Sequence, residues 1–225
     1  MPETLPLGLL SIGLACLAFW LYWKLRVKFS RRGNVQRDNI RIVTITGPSG
    51  AGKTTIVGEL LKRHPKWKMV ISLTSRGPRE SDLPGEYECD VIKESFFWRD
   101  RKGEFIWMVS DHGNMYGMLL ADIDEALDSE HPSLMQILSE SVGQLRSYAS
   151  GKVLSFFISP PNEEELRRRF AKRGDSSEQI ERRTADCKKW EEEAMSSDIP
   201  YEFVRNDGTV EEAVEQVEAI IRAHI

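Results

Sequence analysis

"IRIVTITGPSGAGKTTIVGELLKRH", residues 40–64, decides the fold. Residues 40–45 form a short β-branched run, which suits a strand buried on both faces better than a half-exposed one. After the loop, Ile56, Leu60 and Leu61 recur at helical spacing, and Pro65 stops the segment. Between strand and helix lies Gly47-Pro48-Ser49-Gly50-Ala51-Gly52-Lys53-Thr54, a full match to G-x-x-x-x-G-K-[ST]. Glycines at those places let successive backbone N–H groups converge on phosphate oxygens, and the helix N-terminus adds the positive end of its dipole. The lysine is the type of group that bridges β and γ phosphates. The Thr54 hydroxyl suits Mg²⁺, a small hard ion that accepts few protein ligands, and Thr55 is placed to bond the α phosphate. The strand, lysine and threonine together argue against a Gly-rich connecting turn.

The rest of the chain sets the frame. Its 225 residues, 40% hydrophobic and 29% charged, suffice for one good core, with or without an inserted lobe. A net charge of −4 gives no reason to expect a nucleic-acid partner. Cys16, Cys89 and Cys187 lie far apart without paired metal spacing, so they read as reduced thiols.

Residues 5–23, "LPLGLLSIGLACLAFWLYW", pass without a charge, about enough to cross a bilayer core as a helix. Trp20, Tyr22 and Trp23 cluster at one end, and Lys24, Arg26, Lys28, Arg31, Arg32 and Arg37 follow. Aromatic rings favour the interface and basic residues the cytoplasmic side. A cleaved signal peptide would place basic residues ahead of the apolar run, where "MPET" has none. The expectation is a transmembrane anchor over residues 1–24, a basic juxtamembrane linker over 25–38, and a cytoplasmic domain over 39–225.

Past the loop, "SLTSRGPRESDLPGEY" (residues 72–87) resembles the acceptor-binding signature of guanylate kinases. "HGNMYG" resembles that family's second acceptor segment. "ISPPNEEELRRRFAKRGDSSEQIERR" is similar to its last central strand and lid, and "VRND" to its adenine-side loop. The resemblance runs in order from residue 40 to the C-terminus. It implies an α/β P-loop kinase fold: a parallel β-sheet core flanked by helices, a small acceptor-binding lobe over about 74–118 and a helical lid over about 161–184. The strand-like runs 69–73, 133–138, 153–158 and 201–204, with helical patterns between them, agree with alternating β and α units.

The resemblance also assigns roles. ATP would lie on Gly47, Pro48, Ser49, Gly50, Ala51, Gly52, Lys53, Thr54 and Thr55, with Asn206 flanking adenine; Mg²⁺ would be held through Thr54. Ser72, Arg76, Arg79 and Tyr116 would take the acceptor phosphate. Lys53 and the lid arginines Arg169, Arg173 and Arg183 would stabilise the transferring group. A phosphate acceptor is already ionised at neutral pH, so positioning and charge neutralisation carry the reaction. Arginine suits the clamps because its planar fork pairs two phosphate oxygens. Arg167, Arg168 and Arg182, and the acidic runs "NEEEL" and "KKWEEE", read as helix surface. His112, one imidazole without a visible partner, reads as a loop contact.

Four positions depart from the family pattern, all on the base-reading side. Trp107 stands where a glutamate reads guanine, and an indole cannot accept guanine's N1 and N2 protons. Met118 replaces a hydroxyl residue, and Leu138 an aspartate for which Glu140 is a candidate substitute. The tyrosine of the "DY" pair falls on Glu88, with Tyr87 one residue away. These losses leave the acceptor open: GMP or a related nucleoside monophosphate, or a sugar phosphate as in ribose 1,5-bisphosphate kinases. The competing class is a non-catalytic scaffold module at a membrane. The intact "GAGKTT" distinguishes the two, since such modules generally carry a damaged loop.

Overall fold

The computed structural model describes residues 40–111 and 113–225. The anchor expected over 1–24 and the linker over 25–38 lie outside the described residues, as does His112. Among the described residues no helix is long and apolar enough to cross a membrane.

The chain enters through β1 (Ile42–Thr46), buried in all five residues as its unbroken apolar character requires. The loop follows and leads into α1 (Lys53–Arg63) and then a short strand, β2 (Lys68–Met69). A second lobe comes next: β3 (Ser72–Thr74), β4 (Tyr87–Glu88), α2 (Lys93–Arg101), β5 (Phe105–Asp111) and β6 (Asn114–Leu119). The chain returns to the core through α3 (Leu120–Asp128), β7 (Ser133–Gln136), α4 (Ser139–Tyr148) and β8 (Val153–Ser159). It ends with α5 (Glu163–Lys172), α6 (Ser177–Ser196), β9 (Tyr201–Arg205) and α7 (Val210–His224).

The core sheet has the order β2-β7-β1-β8-β9, every pairing parallel. β1 lies at its centre, and alternation divides its side chains between two clusters. Val43 and Ile45 pack with Ile56, Leu60, Phe156, Val214 and Val217 on one face; Ile42 packs with Ile123, Met135, Val142 and Phe157 on the other. α6 and α7 each begin with a capping box, Ser176 with Gln179 and Thr209 with Glu212, which satisfies the free amides of their first turns.

The single strand expected over 69–73 is two strands in two sheets. Val70 still donates to the Leu134 carbonyl of the core, whereas Ser72 donates to the Glu86 carbonyl of the lobe. The chain changes sheets within two residues, which apolar character alone does not reveal. The lobe sheet, β4-β3-β6-β5, therefore spans 72–119. Leu73, Phe96 and Met115 form its small core, and Phe96 stacks on Phe105 at 5.7 Å.

Candidate active site

Parallel sheets open their ligand crevice at the carboxyl ends of the strands, and the phosphate loop lies there, after Thr46. The Thr46 hydroxyl donates to the Ile137 carbonyl at 2.9 Å, tying the ends of β1 and β7 together. Gly50 and Gly52 hold φ of +82° and +93°, which side-chain-bearing residues rarely adopt. A Cβ on Gly50 would stand 2.7 Å from Leu166 Cδ1 of α5, and one on Gly52 would collide with Asn206. Left-handed geometry and close packing thus both call for glycine.

Lys53 is half-buried and folds back on its own loop, donating to the carbonyls of Gly47 (2.7 Å) and Pro48 (2.9 Å). Burial pushes its pKa down to about 8; the positive charge of Arg173 adds to this, and Cys187 opposes it. Cys187 is buried and its thiol, pushed up to about 11 mainly by burial, touches the Ser49 carbonyl at 3.5 Å.

The segment expected as a lid, in α5 and the first part of α6, packs on the loop. Leu166, Phe170 and Cys187 form a buried cluster against it. Arg169 donates to the Gly50 carbonyl (3.1 Å) and to Glu165 (2.9 Å), while Arg173 reaches the Ser49 hydroxyl at 3.4 Å. Arg183 turns to Asp175 at 3.1 Å and lies over the Phe170 ring at 5.7 Å. Asn206, only 2% exposed, donates to the Ala51 carbonyl at 2.8 Å and so supports the loop from below. α6 runs on to residue 196, beyond the expected end of the lid.

A cavity of about 410 Å³ joins loop and lobe. Gly47, Ser49, Lys53 and Thr54 line one side; Ser72 and Tyr116, both expected from sequence, line the other. Arg76 and Arg79 are not on this lining. Arg76 is buried beside it, with two hydrogen bonds to Asp82 and its guanidinium 4.6 Å from the Tyr87 ring centre; the Arg79 amide also donates to Asp82. Pro48 and Ala51 are buried within the loop, and Thr55 is exposed at the start of α1.

The remaining lining was missed or left open in the sequence. Tyr87 lines the cavity while Glu88 is exposed, so of the two it is Tyr87 that faces the site. Glu140 is exposed on the first turn of α4 and absent from the lining, so it does not stand in for the aspartate. Met118 is fully buried in the core behind Trp107 rather than in the cavity. Glu86, Gln136 and Trp190 do line it. Trp190 lies in the run "KKWEEE", which the sequence alone marks as helix surface. Glu86 is 8% exposed and its carboxyl is held above its ordinary pKa, chiefly by burial.

A sequence model of the guanylate kinase family matches residues 39–224. The chain belongs to the guanylate kinase family. A guanylate kinase of Wolbachia sp. subsp. Brugia malayi is 32% identical over 188 residues, covering 83% of this chain and 94% of that protein. One from Clostridioides difficile is 35% identical over 181 residues, covering 80% and 86%. The crystal structure of guanylate kinase from Anaplasma phagocytophilum superposes with a TM-score of 0.60 at 25% identity, over 82% of this chain and 85% of that one. The α/β fold of guanylate kinases, with its parallel core sheet, and the phosphotransferase class of the chain are thereby established.

Proposed function

We propose that this guanylate kinase family member moves the γ-phosphoryl group of ATP to the phosphate of GMP. The observation that carries the reading is the shared cavity: Lys53 and Thr54 of an intact phosphate loop face Ser72 and Tyr116 of the lobe. Relatives named guanylate kinase, matched over most of their length, support GMP as acceptor. Gly47 to Thr55 bind the ATP phosphates, with Asn206 bracing the loop near the adenine side. Lys53 exchanges its two carbonyl partners for phosphate oxygens. Ser72, Tyr116, Arg76 and Arg79 hold the acceptor phosphate, the Arg76 guanidinium turning from Asp82. Arg169, Arg173 and Arg183 bring positive charge to the transferring group as the lid closes. Preorganised charge of this kind is the main catalytic device when no strong base is needed.

Mg²⁺ fits the residues present. No cluster of three metal-ligating side chains occurs among the described residues, and Mg²⁺ beside a nucleotide needs few protein ligands. The Thr54 hydroxyl donates its proton to Gln136 at 3.2 Å, which leaves its lone pairs for the cation. Thr54 would hold the ion, which would supply positive charge to the phosphates of the donor.

The base end is recognised differently from the family pattern. Trp107, Val109, Leu138 and Trp190 make it apolar, and its carboxylate, Glu86, is engaged with Gln136. Stacking and shape replace a carboxylate that reads guanine protons. That same wall favours, as a second reading, a sugar phosphate of the ribose 1,5-bisphosphate type. The apolar run 5–23 followed by basic residues supports tethering of the domain to the cytoplasmic face of a membrane.

Turnover with ATP, Mg²⁺ and a panel of GMP, dGMP, AMP and ribose 1,5-bisphosphate tests the proposal. GMP is expected to give the highest kcat/KM, and Lys53→Met to abolish it. Higher turnover of the sugar phosphate would establish the second reading, and absence of ATP binding would establish a scaffold.

A further inference from the structure

Three side chains from separate parts of the chain meet in the cavity wall. Thr54, at the start of α1, donates its hydroxyl proton to Gln136 Oε1 at 3.2 Å. Gln136, at the end of β7, donates through Nε2 to Glu86 Oε1 at 3.1 Å. Glu86, at the edge of the lobe, accepts the Leu83 backbone N–H on its other oxygen at 2.9 Å. All three line the cavity.

An amide has one accepting end and one donating end, and its two orientations are nearly equal in shape. A carboxylate only accepts. Glu86 therefore fixes the NH₂ end of Gln136 toward itself and the carbonyl end toward Thr54. This matters for the hydroxyl. A carbonyl facing Thr54 draws away its proton and leaves both oxygen lone pairs for a cation, whereas a facing NH₂ would compete for one of them. Among the described residues of the lining, Glu86 alone supplies a carboxylate to impose this choice.

We infer that Glu86 is a positioning residue for the donor's Mg²⁺: acting through Gln136, it orients the Thr54 hydroxyl so that the ion has a ready oxygen ligand. The inference rests on the ATP-dependent phosphotransferase reading. Its consequence is that the lobe receiving the acceptor also sets metal binding on the donor side. Partners one step removed from a ligand typically alter metal affinity by about 10- to 100-fold.

The test is calorimetry on the full chain, with ATP titrated in Mg²⁺ and in EDTA. The readout is the ratio of the two Kd values. In the wild type Mg²⁺ is expected to tighten ATP binding. Glu86→Met should reduce that ratio by about tenfold while leaving the metal-free Kd unchanged. In a Gln136→Met background, Glu86→Met should have no further effect, because it acts through the missing amide. The exchange Glu86→Gln with Gln136→Glu re-creates an acceptor toward Thr54 and should keep the ratio at or above the wild-type value. That exchange decides the matter if Glu86→Met does not fold. A ratio that Glu86→Met leaves unchanged, an effect that persists without Gln136, or an exchange that folds yet loses the ratio would each overturn the inference. A wild type that binds no ATP under either condition would instead remove the phosphotransferase reading itself.

Discussion

The guanidinium of Arg76 and the carboxylate of Asp82 meet in two parallel hydrogen bonds of 2.8 Å, between side chains only 7% and 16% exposed. Removing one partner of such a pair leaves the other charge buried and uncompensated. Asp82→Ala is therefore expected to lower stability by about 3 kcal/mol in urea denaturation, whereas Arg79→Ala, at an exposed site, should change it by less than about 0.5 kcal/mol. The hydrogen bond from Arg76 holds the Asp82 carboxyl below its ordinary pKa. Its contribution is thus full above the unfolded value of about 4 and disappears as pH falls through the folded one. The stability gap between wild type and Asp82→Ala should close in acid; a gap constant down to pH 2 would show that the pair is not its source.

Lys53 gives a second pH dependence, of binding rather than folding. With its pKa lowered to about 8, the lysine loses its proton within the accessible range, and phosphate favours the charged form. ATP binding at pH 8.5 should therefore take up a proton, and Kd should rise by up to about tenfold per pH unit above that pKa. Calorimetry in buffers of different ionisation enthalpy measures the uptake directly. Lys53→Met should abolish it.

Two glycines should respond in opposite directions to alanine. At Gly50 the left-handed φ alone costs about 1–2 kcal/mol, and the new methyl meets Leu166 and Phe170 of the lid. Gly50→Ala should be destabilised by at least that amount and should bind ATP more weakly. Gly143, inside α4, has open space around its Cβ position. Gly143→Ala should gain about 0.5–1 kcal/mol in thermal or urea unfolding, without effect on ATP binding.

The apolar base wall yields a prediction about specificity. Trp107→Glu supplies an acceptor for guanine N1 and N2 protons on the strand that faces the cavity. The ratio of kcat/KM for GMP over AMP should rise by about tenfold or more. An unchanged ratio would mean that the base does not reach β5.

Much of this molecule is written locally. The loop, the two capping boxes and the unbroken apolar strands can be read from neighbouring residues, because turn geometry, helix ends and burial on two faces depend on near neighbours. Other features are not local at all. The split of one strand run into β2 and β3 depends on which sheet offers the next partner, and the place of Tyr87 on the cavity depends on how β4 pairs with β3.

The sequence by itself determined, through contiguous patterns, a phosphate-binding loop on a parallel α/β core; an inserted lobe and an arginine-rich lid were implied by the resemblance to guanylate kinases. Only the tertiary structure decided that Glu86, Gln136 and Trp190 belong to the cavity, that Met118 belongs to the core, and that Arg76 rests on Asp82. Strand order and lobe packing bring Glu86 to Gln136, 50 residues apart, and Cys187 to Ser49, 138 residues apart. A carboxylate or an indole carries no local mark of such a meeting, since its role is set by what the fold places opposite it.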